Sequence, residues 1–145
     1  MSATFHYTGM PLQAHVAAAK AGVDSLMTSV ALEYGPYGLT SNVIAPGAIA
    51  NTEGLARLSA PQSGDPGKRS PGGRIGYVRD ISDATVYLFS DAGSHVNGHT
   101  LVVDGGSWRM GGMIGPGVDD SMRYPDFLFS GEIAKGLAGG KKSKL

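Results

Sequence analysis

The sequence has no cysteine, which excludes a disulfide framework and fits a reducing compartment. It has no excess charge of either sign: 12 Lys and Arg balance 12 Asp and Glu. No net field draws it to nucleic acid or to an anionic membrane surface. No apolar run is long enough to span a bilayer, and no signal peptide opens the chain. There is no internal repeat or low-complexity block. No G-x-G-x-x-G turn follows a strand-like stretch, so the backbone cradle that seats a dinucleotide pyrophosphate at a helix N-terminus is not found in these residues. The four histidines (His6, His15, His95, His99) have no acidic partners at metal-ligand spacing. Glycine (23) and proline (8) make up about a fifth of the 145 residues, short of the ~25–30% that marks disorder. One domain is the expectation at this length.

What is present begins with MPLQAHVAAAKAGVDSLMTSVALEYG, residues 10–35. Apolar residues at Leu12, Val16, Ala19, Val23, Leu26, Met27, Val30, Ala31 and Tyr34 follow the three-and-four spacing of an amphipathic helix over about 10–34. Gly35 is expected to take the left-handed C′ position, with Pro36 stopping the helix. Lys20 lies beside this stripe among small residues (Ala17, Ala18, Ala19, Ala21, Gly22), where a backbone or a flat ligand can come close. It is either a snorkelling surface charge or a functional group.

Val43-Ile44-Ala45 is a continuous apolar run within an expected strand at 39–45, as in a parallel sheet covered on both faces. The chain leaves that strand at Pro46-Gly47, at the carboxyl end where open α/β sheets bind ligands. Residues 46–79 are loop-rich, with a short helix at 53–58. Asp80 is placed to cap a helix over 81–90, with Ile81, Ala84, Thr85 and Leu88 on one face. A second buried strand is expected at 99–103, ending at Asp104-Gly105-Gly106. Residues 1–4 read as the tail of a strand and 5–9 as a loop. Beyond Trp108 an extended wrap is expected, anchored at 126–129. The Asp119-Asp120 pair reads as a solvated loop.

Ser143-Lys144-Leu145 is a peroxisomal import signal when exposed at a C-terminus, and a given tripeptide falls there by chance about once in 8,000 sequences. Residues 141–145 are expected to be an exposed targeting tail read by the import receptor.

Lys20-Ala-Gly, the stretch SNVIAPG (41–47) and the run DISDATVYLFSDAGSHVNGHTLVVDGG (80–106) together resemble the second half of a short-chain dehydrogenase/reductase. HVAAAKAGVD, APGAIANTEGLARL and the terminal SKL are similar to the peroxisomal 2,4-dienoyl-CoA reductases of that family. The resemblance implies an α/β fold, the C-terminal portion of a Rossmann-like doubly wound parallel sheet, without the N-terminal dinucleotide-binding half. It implies NADPH as cofactor, 2,4-dienoyl-CoA as substrate, 3-enoyl-CoA as product, and homo-oligomers of the complete subunit.

Carbonyl-reducing members carry a tyrosine four residues before the lysine and a serine thirteen before the tyrosine. Those positions hold Val16 and Ala3, which cannot donate a proton, a departure shared by the dienoyl-CoA reductases. The resemblance assigns Lys20 to catalysis and to the nicotinamide ribose. It assigns the loop Pro46, Gly47, Ala48, Ile49 to the carboxamide, and Thr52 to the phosphates. Arg57 is a candidate for a coenzyme A phosphate or a solvated helix arginine; Arg74 reads as structural, and His15 as a candidate for the substrate or proton path. The alternative is a non-catalytic fragment that associates with full-length reductase subunits.

Overall fold

The computed structural model describes residues 1–10, 13–58, 65, 67 and 70–110. The wrap expected beyond Trp108, its anchor at 126–129, the Asp119-Asp120 pair and the tail 141–145 lie outside the described residues. The elements run α1 (Phe5–Thr8), α2 (Ala14–Tyr34), β1 (Val43–Pro46), α3 (Glu53–Leu58), α4 (Val78–Phe89) and β2 (Thr100–Val103). β1 and β2 pair in parallel, with Val43 opposite Thr100 and Pro46 opposite Val103. A parallel pair needs a long crossover, and α3 and α4 lie within it. Among the described residues no helix is long and apolar enough to cross a membrane.

β1 is the centre. Val43, Ile44 and Ala45 are all buried, and each buried Val or Ile side chain contributes about 1.5–3 kcal/mol. On one side lies β2. On the other, Ser2, Ala3 and Thr4 are buried alongside, and the Ser2 amide donates to the Ile44 carbonyl at 2.8 Å. This stretch follows the strand expectation for 1–4 but makes one rung and not a ladder. Residues 5–8 are a single helical turn, not a loop, closed by Gly9 at φ +74°.

Both strands start later than expected, and at their amino ends side-chain amides interleave with the backbone bonds Val43 N to His99 O and Gly98 N to Ser41 O, both 2.9 Å. The Asn97 Oδ1 accepts from the Ser41 amide (2.8 Å), and the Asn42 Oδ1 accepts from the His99 amide (3.0 Å). The Asn97 Nδ2 also donates to the Ala31 carbonyl at 3.0 Å, tying this corner to α2.

α2 ends where Gly35-Pro36 predicts, by a different geometry. Gly35 stays right-handed (φ −52°) and the chain makes a 3₁₀ turn over Gly35–Tyr37. Proline fits the first turn of such a helix because its missing N–H is not needed there. Gly38 is the left-handed residue, at φ +82°, and its amide bonds the Gly35 carbonyl. The buried stripe of α2 is Asp24, Met27 and Ala31, whereas Leu26 and Tyr34 of the expected stripe are 65% and 50% exposed. Lys20 is four residues before Asp24, so it stands on the buried stripe rather than beside it.

α4 begins at Val78, three residues earlier than expected, and Asp80 is its third residue, not its cap. Its Oδ2 accepts the Tyr77 amide at 2.8 Å, and its two oxygens take both Arg74 guanidinium nitrogens at 2.7 Å. Arg74 is thus structural, as expected. Its hydrogen bonds, with that of the Tyr77 amide, lower the Asp80 pKa from 3.8 to about 2. A carboxylate whose pKa is depressed by folding contributes stability that is complete above its unfolded pKa and is lost as pH falls through the folded one. The start of α4 is therefore expected to loosen between about pH 4 and pH 2. The Tyr77 amide should gain exchange rate in that window, and in Asp80→Asn the step should be gone.

Candidate active site

The site forms at the carboxyl ends of β1 and β2. Gly47 donates to the Val103 carbonyl at 3.0 Å, bringing the loop after β1 against the turn after β2. A Cβ on Gly47 would lie 2.5 Å from the Asp104 Cβ and 2.9 Å from its Cα, so no side chain fits. Gly47→Ala is expected to destabilise the fold by about 1–3 kcal/mol through overpacking, read as a lower urea midpoint.

Residues 70–76 close the same cluster. The Gly72 amide and the Ser70 hydroxyl both donate to the Gly105 carbonyl, at 2.9 and 3.1 Å. Gly76 forms a parallel bridge with Ile49: Gly76 N donates to Ala48 O (3.0 Å) and Ala50 N to Gly76 O (2.8 Å). In such a bridge the neighbours of the central residue carry both bonds, so the Ile49 amide and carbonyl face the other way. The carbonyl accepts the Thr52 hydroxyl at 2.8 Å. The amide has no hydrogen-bond partner among the described residues. An unpartnered backbone N–H just beyond the carboxyl end of a parallel strand suits the carbonyl of a planar carboxamide.

Thr52 is also the N-terminal cap of α3, its oxygen accepting the Leu55 amide at 3.2 Å, so its hydroxyl proton is already committed to Ile49. Arg57 sits on α3 and pairs with Glu53 at 2.5 Å, both side chains about three-quarters exposed. A pair so exposed contributes only about 0.3–0.5 kcal/mol and leaves the guanidinium in solvent. The Asp104 carboxylate is consumed by its own turn, accepting the Gly106 amide (2.8 Å) and the Trp108 amide (2.7 Å).

Lys20 reaches the segment beside β1: its ammonium donates to the Met1 carbonyl at 3.3 Å. Val16 is half-buried and Ala3 buried, one turn before Lys20 and next to β1's neighbour Ser2 respectively. His15 is exposed. Ser143, Lys144 and Leu145 lie outside the described residues.

The sequence reading missed one cluster. Asp24 is buried on α2, and its Oδ2 accepts the Tyr7 hydroxyl at 2.6 Å and faces the His6 Nε2 at 3.0 Å. Burial raises the Asp24 pKa, but the nearby Ser2 hydroxyl, the Tyr7 hydrogen bond and the His6 imidazole outweigh it, leaving it below the ordinary carboxylate value. The same bond to Asp24, with burial, holds the Tyr7 phenol above its usual value. The only signal for this cluster was the four-residue step from Lys20 to Asp24. No group of three metal-ligating side chains occurs among the described residues.

A family model described as enoyl-(acyl carrier protein) reductase matches residues 1–107. The peroxisomal 2,4-dienoyl-CoA reductase SPS19 of Saccharomyces cerevisiae is 48% identical over 136 residues, covering 93% of this chain and 45% of its own. The crystal structure of a Bacillus anthracis short chain dehydrogenase superposes with a TM-score of 0.63 at 36% identity, over 74% of this chain and 43% of that one. A Brucella melitensis 3-oxoacyl-[acyl-carrier protein] reductase with bound NAD gives 0.59 at 32% identity, over 72% and 38%. The chain thus spans less than half the length of each of these proteins. With the α/β fold, the parallel β1–β2 pair and the loop beyond it, these matches place the chain in the short-chain dehydrogenase/reductase family of oxidoreductases.

Proposed function

We propose that this chain carries the nicotinamide and lysine part of a peroxisomal reductase that converts 2,4-dienoyl-CoA to 3-enoyl-CoA with NADPH. The observation that supports the reading best is an unpartnered Ile49 amide together with a Lys20 ammonium seated beside β1, where neither Val16 nor Ala3 offers an acid. The residues present fit the nicotinamide end of such a cofactor; a pyrophosphate cradle is not among them. Hydride for the far end of the conjugated thioester is what the cofactor supplies when bound.

The rest is the protein's task. Lys20 holds the ribose hydroxyls and keeps positive charge near the thioester oxygen as electrons move toward it. Ile49 orients the carboxamide, the glycine at 47 lets the loop sit close to β2, and Thr52 keeps the loop's shape as it turns into α3. Without a phenol at position 16, the proton for the α-carbon comes from water or from an acid outside these residues. Arg57, free to swing from Glu53, is available to a coenzyme A phosphate. The terminal Ser143-Lys144-Leu145 directs the protein to the peroxisome through the import receptor, and the complete subunit forms homo-oligomers.

The test is a chimera in which this chain replaces the matching stretch of the S. cerevisiae relative. It should oxidise NADPH with a 2,4-dienoyl-CoA, and the 145-residue chain alone should not. A chimera that is folded and binds NADPH but leaves dienoyl-CoA untouched would overturn the reading. A second reading, a non-catalytic fragment that associates with full-length subunits, draws on the apolar side chains left at the surface. Leu26, Leu32 and Phe89 are 65%, 75% and 89% exposed, apolar side chains that a partner subunit could cover.

A further inference from the structure

We propose that Asp24 is a positioning residue for Lys20, acting through Tyr7 and His6 to clamp residues 1–8 onto α2. The part of this that concerns catalysis rests on the reading of Lys20 given above; the clamp does not.

Lys20 and Asp24 lie one turn apart on the same stripe of α2, and each holds one end of the same segment. At the near end, the Lys20 ammonium donates to the Met1 carbonyl at 3.3 Å. The next amide, Ser2, is fixed to the Ile44 carbonyl of β1 at 2.8 Å. At the far end, Asp24 takes the Tyr7 hydroxyl at 2.6 Å and the His6 Nε2 at 3.0 Å. The two rings are in contact, with centroids 3.9 Å apart, and Tyr7 meets Trp108 edge-on at 6.2 Å. The Met1 carbonyl is therefore held in place from both sides, and with it the ammonium.

A buried carboxylate is a poor way merely to fill a core. An apolar side chain there does as well or better, because charge burial is costly. Here the cost is visible: the Asp24 Oδ1 and the His6 Nδ1 are buried with no hydrogen-bond partner. What a carboxylate adds is direction. An ionised Asp24 only accepts, so His6 must carry its proton on Nε2, and the phenol must point at the same oxygen. Hydrogen bonds to an ionised acceptor are short and strong, as the 2.6 Å contact is. The result is a segment with one geometry, which is what a lysine must have if its ammonium is to meet a ligand in a fixed place.

The test uses the 145-residue chain labelled with ¹⁵N and ¹³C, read by NMR at mildly basic pH for the imidazole ring, whose tautomer exists only in the neutral form, and at mildly acidic pH for the ammonium and the methyls. The His6 ring should be the Nε2–H tautomer, and the Lys20 ammonium should show a slowed proton exchange. In Asp24→Asn the tautomer preference should be lost and Lys20 ammonium exchange should rise about tenfold, the loss expected from one charge-assisted hydrogen bond. The methyl signals of Met27, Ala31 and Val43 should stay in place. A Lys20 signal unchanged by Asp24→Asn overturns the positioning role, and so does a shift of all the core methyls, which would make Asp24 structural only. If Asp24→Asn fails to fold, Tyr7→Phe removes one of the two bonds and is read the same way, with a smaller rise expected and an unchanged Lys20 again decisive. None of these readouts uses NADPH or dienoyl-CoA, so their failure leaves the reductase reading standing. In the chimera, Asp24→Asn should lower kcat more than it raises KM; an inactive unmutated chimera would sink the reductase reading and leave the clamp intact.

Discussion

Deleting Leu145 from a chain tagged at its N-terminus is expected to move it from peroxisomes to the cytosol. The effect should be close to all-or-none, because the receptor reads the terminal tripeptide as a unit. Capture of a C-terminal carboxylate by backbone amides depends on where that carboxylate sits. Removing one residue shifts the charge by about 3.3–3.6 Å and replaces a leucine with a lysine at the terminus. Gly139-Gly140 and the two lysines Lys141 and Lys142 put glycine and positive charge directly before the signal. The tagged full chain and the Leu145 deletion should be imaged side by side with a peroxisomal marker. Equal peroxisomal signal from both would remove the targeting role from Ser143-Lys144-Leu145.

The second large effect is expected at Lys20. In the chimera with the S. cerevisiae relative, Lys20→Ala should lower turnover about a hundred- to a thousandfold, the usual cost of removing one donor aimed at developing charge. The magnitude follows from what surrounds it: position 16 holds valine and position 3 alanine, so no neighbour in the motif can take over. Val16→Phe should act differently. It adds bulk to a half-buried position one turn away and should raise KM while leaving a measurable kcat. Stopped-flow traces at saturating NADPH separate the two. Near-normal turnover in Lys20→Ala would end the proposed role of this residue.

Most of the fold was legible because its signals are local. The helix at Glu53–Leu58 starts behind a threonine cap and has the expected bounds. The three apolar residues of β1 are buried as a continuous run should be. The misplaced boundaries have long-range causes. Asn42 and Asn97 sit more than fifty residues apart, and their side chains bond the backbone of Val96 and His99 and of Ser41 where the strands begin. Arg74 binds Asp80 from outside the helix and so lets α4 start before the aspartate. Gly35 and Gly38 are chemically equal, and the 3₁₀ turn over Gly35–Tyr37 leaves Gly38 as the left-handed one.

At the site the loop Pro46–Thr52 could be placed from the strand end alone. Asp24 could not, because an acidic residue on a helix is ordinarily solvated, and its partners His6 and Tyr7 stand in a segment that looked like a plain loop. Arg57 looked free in the sequence and is found paired with Glu53 four residues before it, a spacing that was there to be read.

The parallel pairing of β1 with β2 also sets an order of events during synthesis. Val43 must wait for Thr100, and closing so long a stretch of chain costs entropy before any contact repays it. The helices can begin to coil as they leave the ribosome, since their hydrogen bonds are local. The loop after β1 cannot settle, because Gly47 needs both the Val103 carbonyl and the backbone of Asp104 to lie against. A nascent chain stopped before Val103 would already contain Lys20, Ile49, Thr52 and Arg57, and yet lack the settled loop that the proposed site needs.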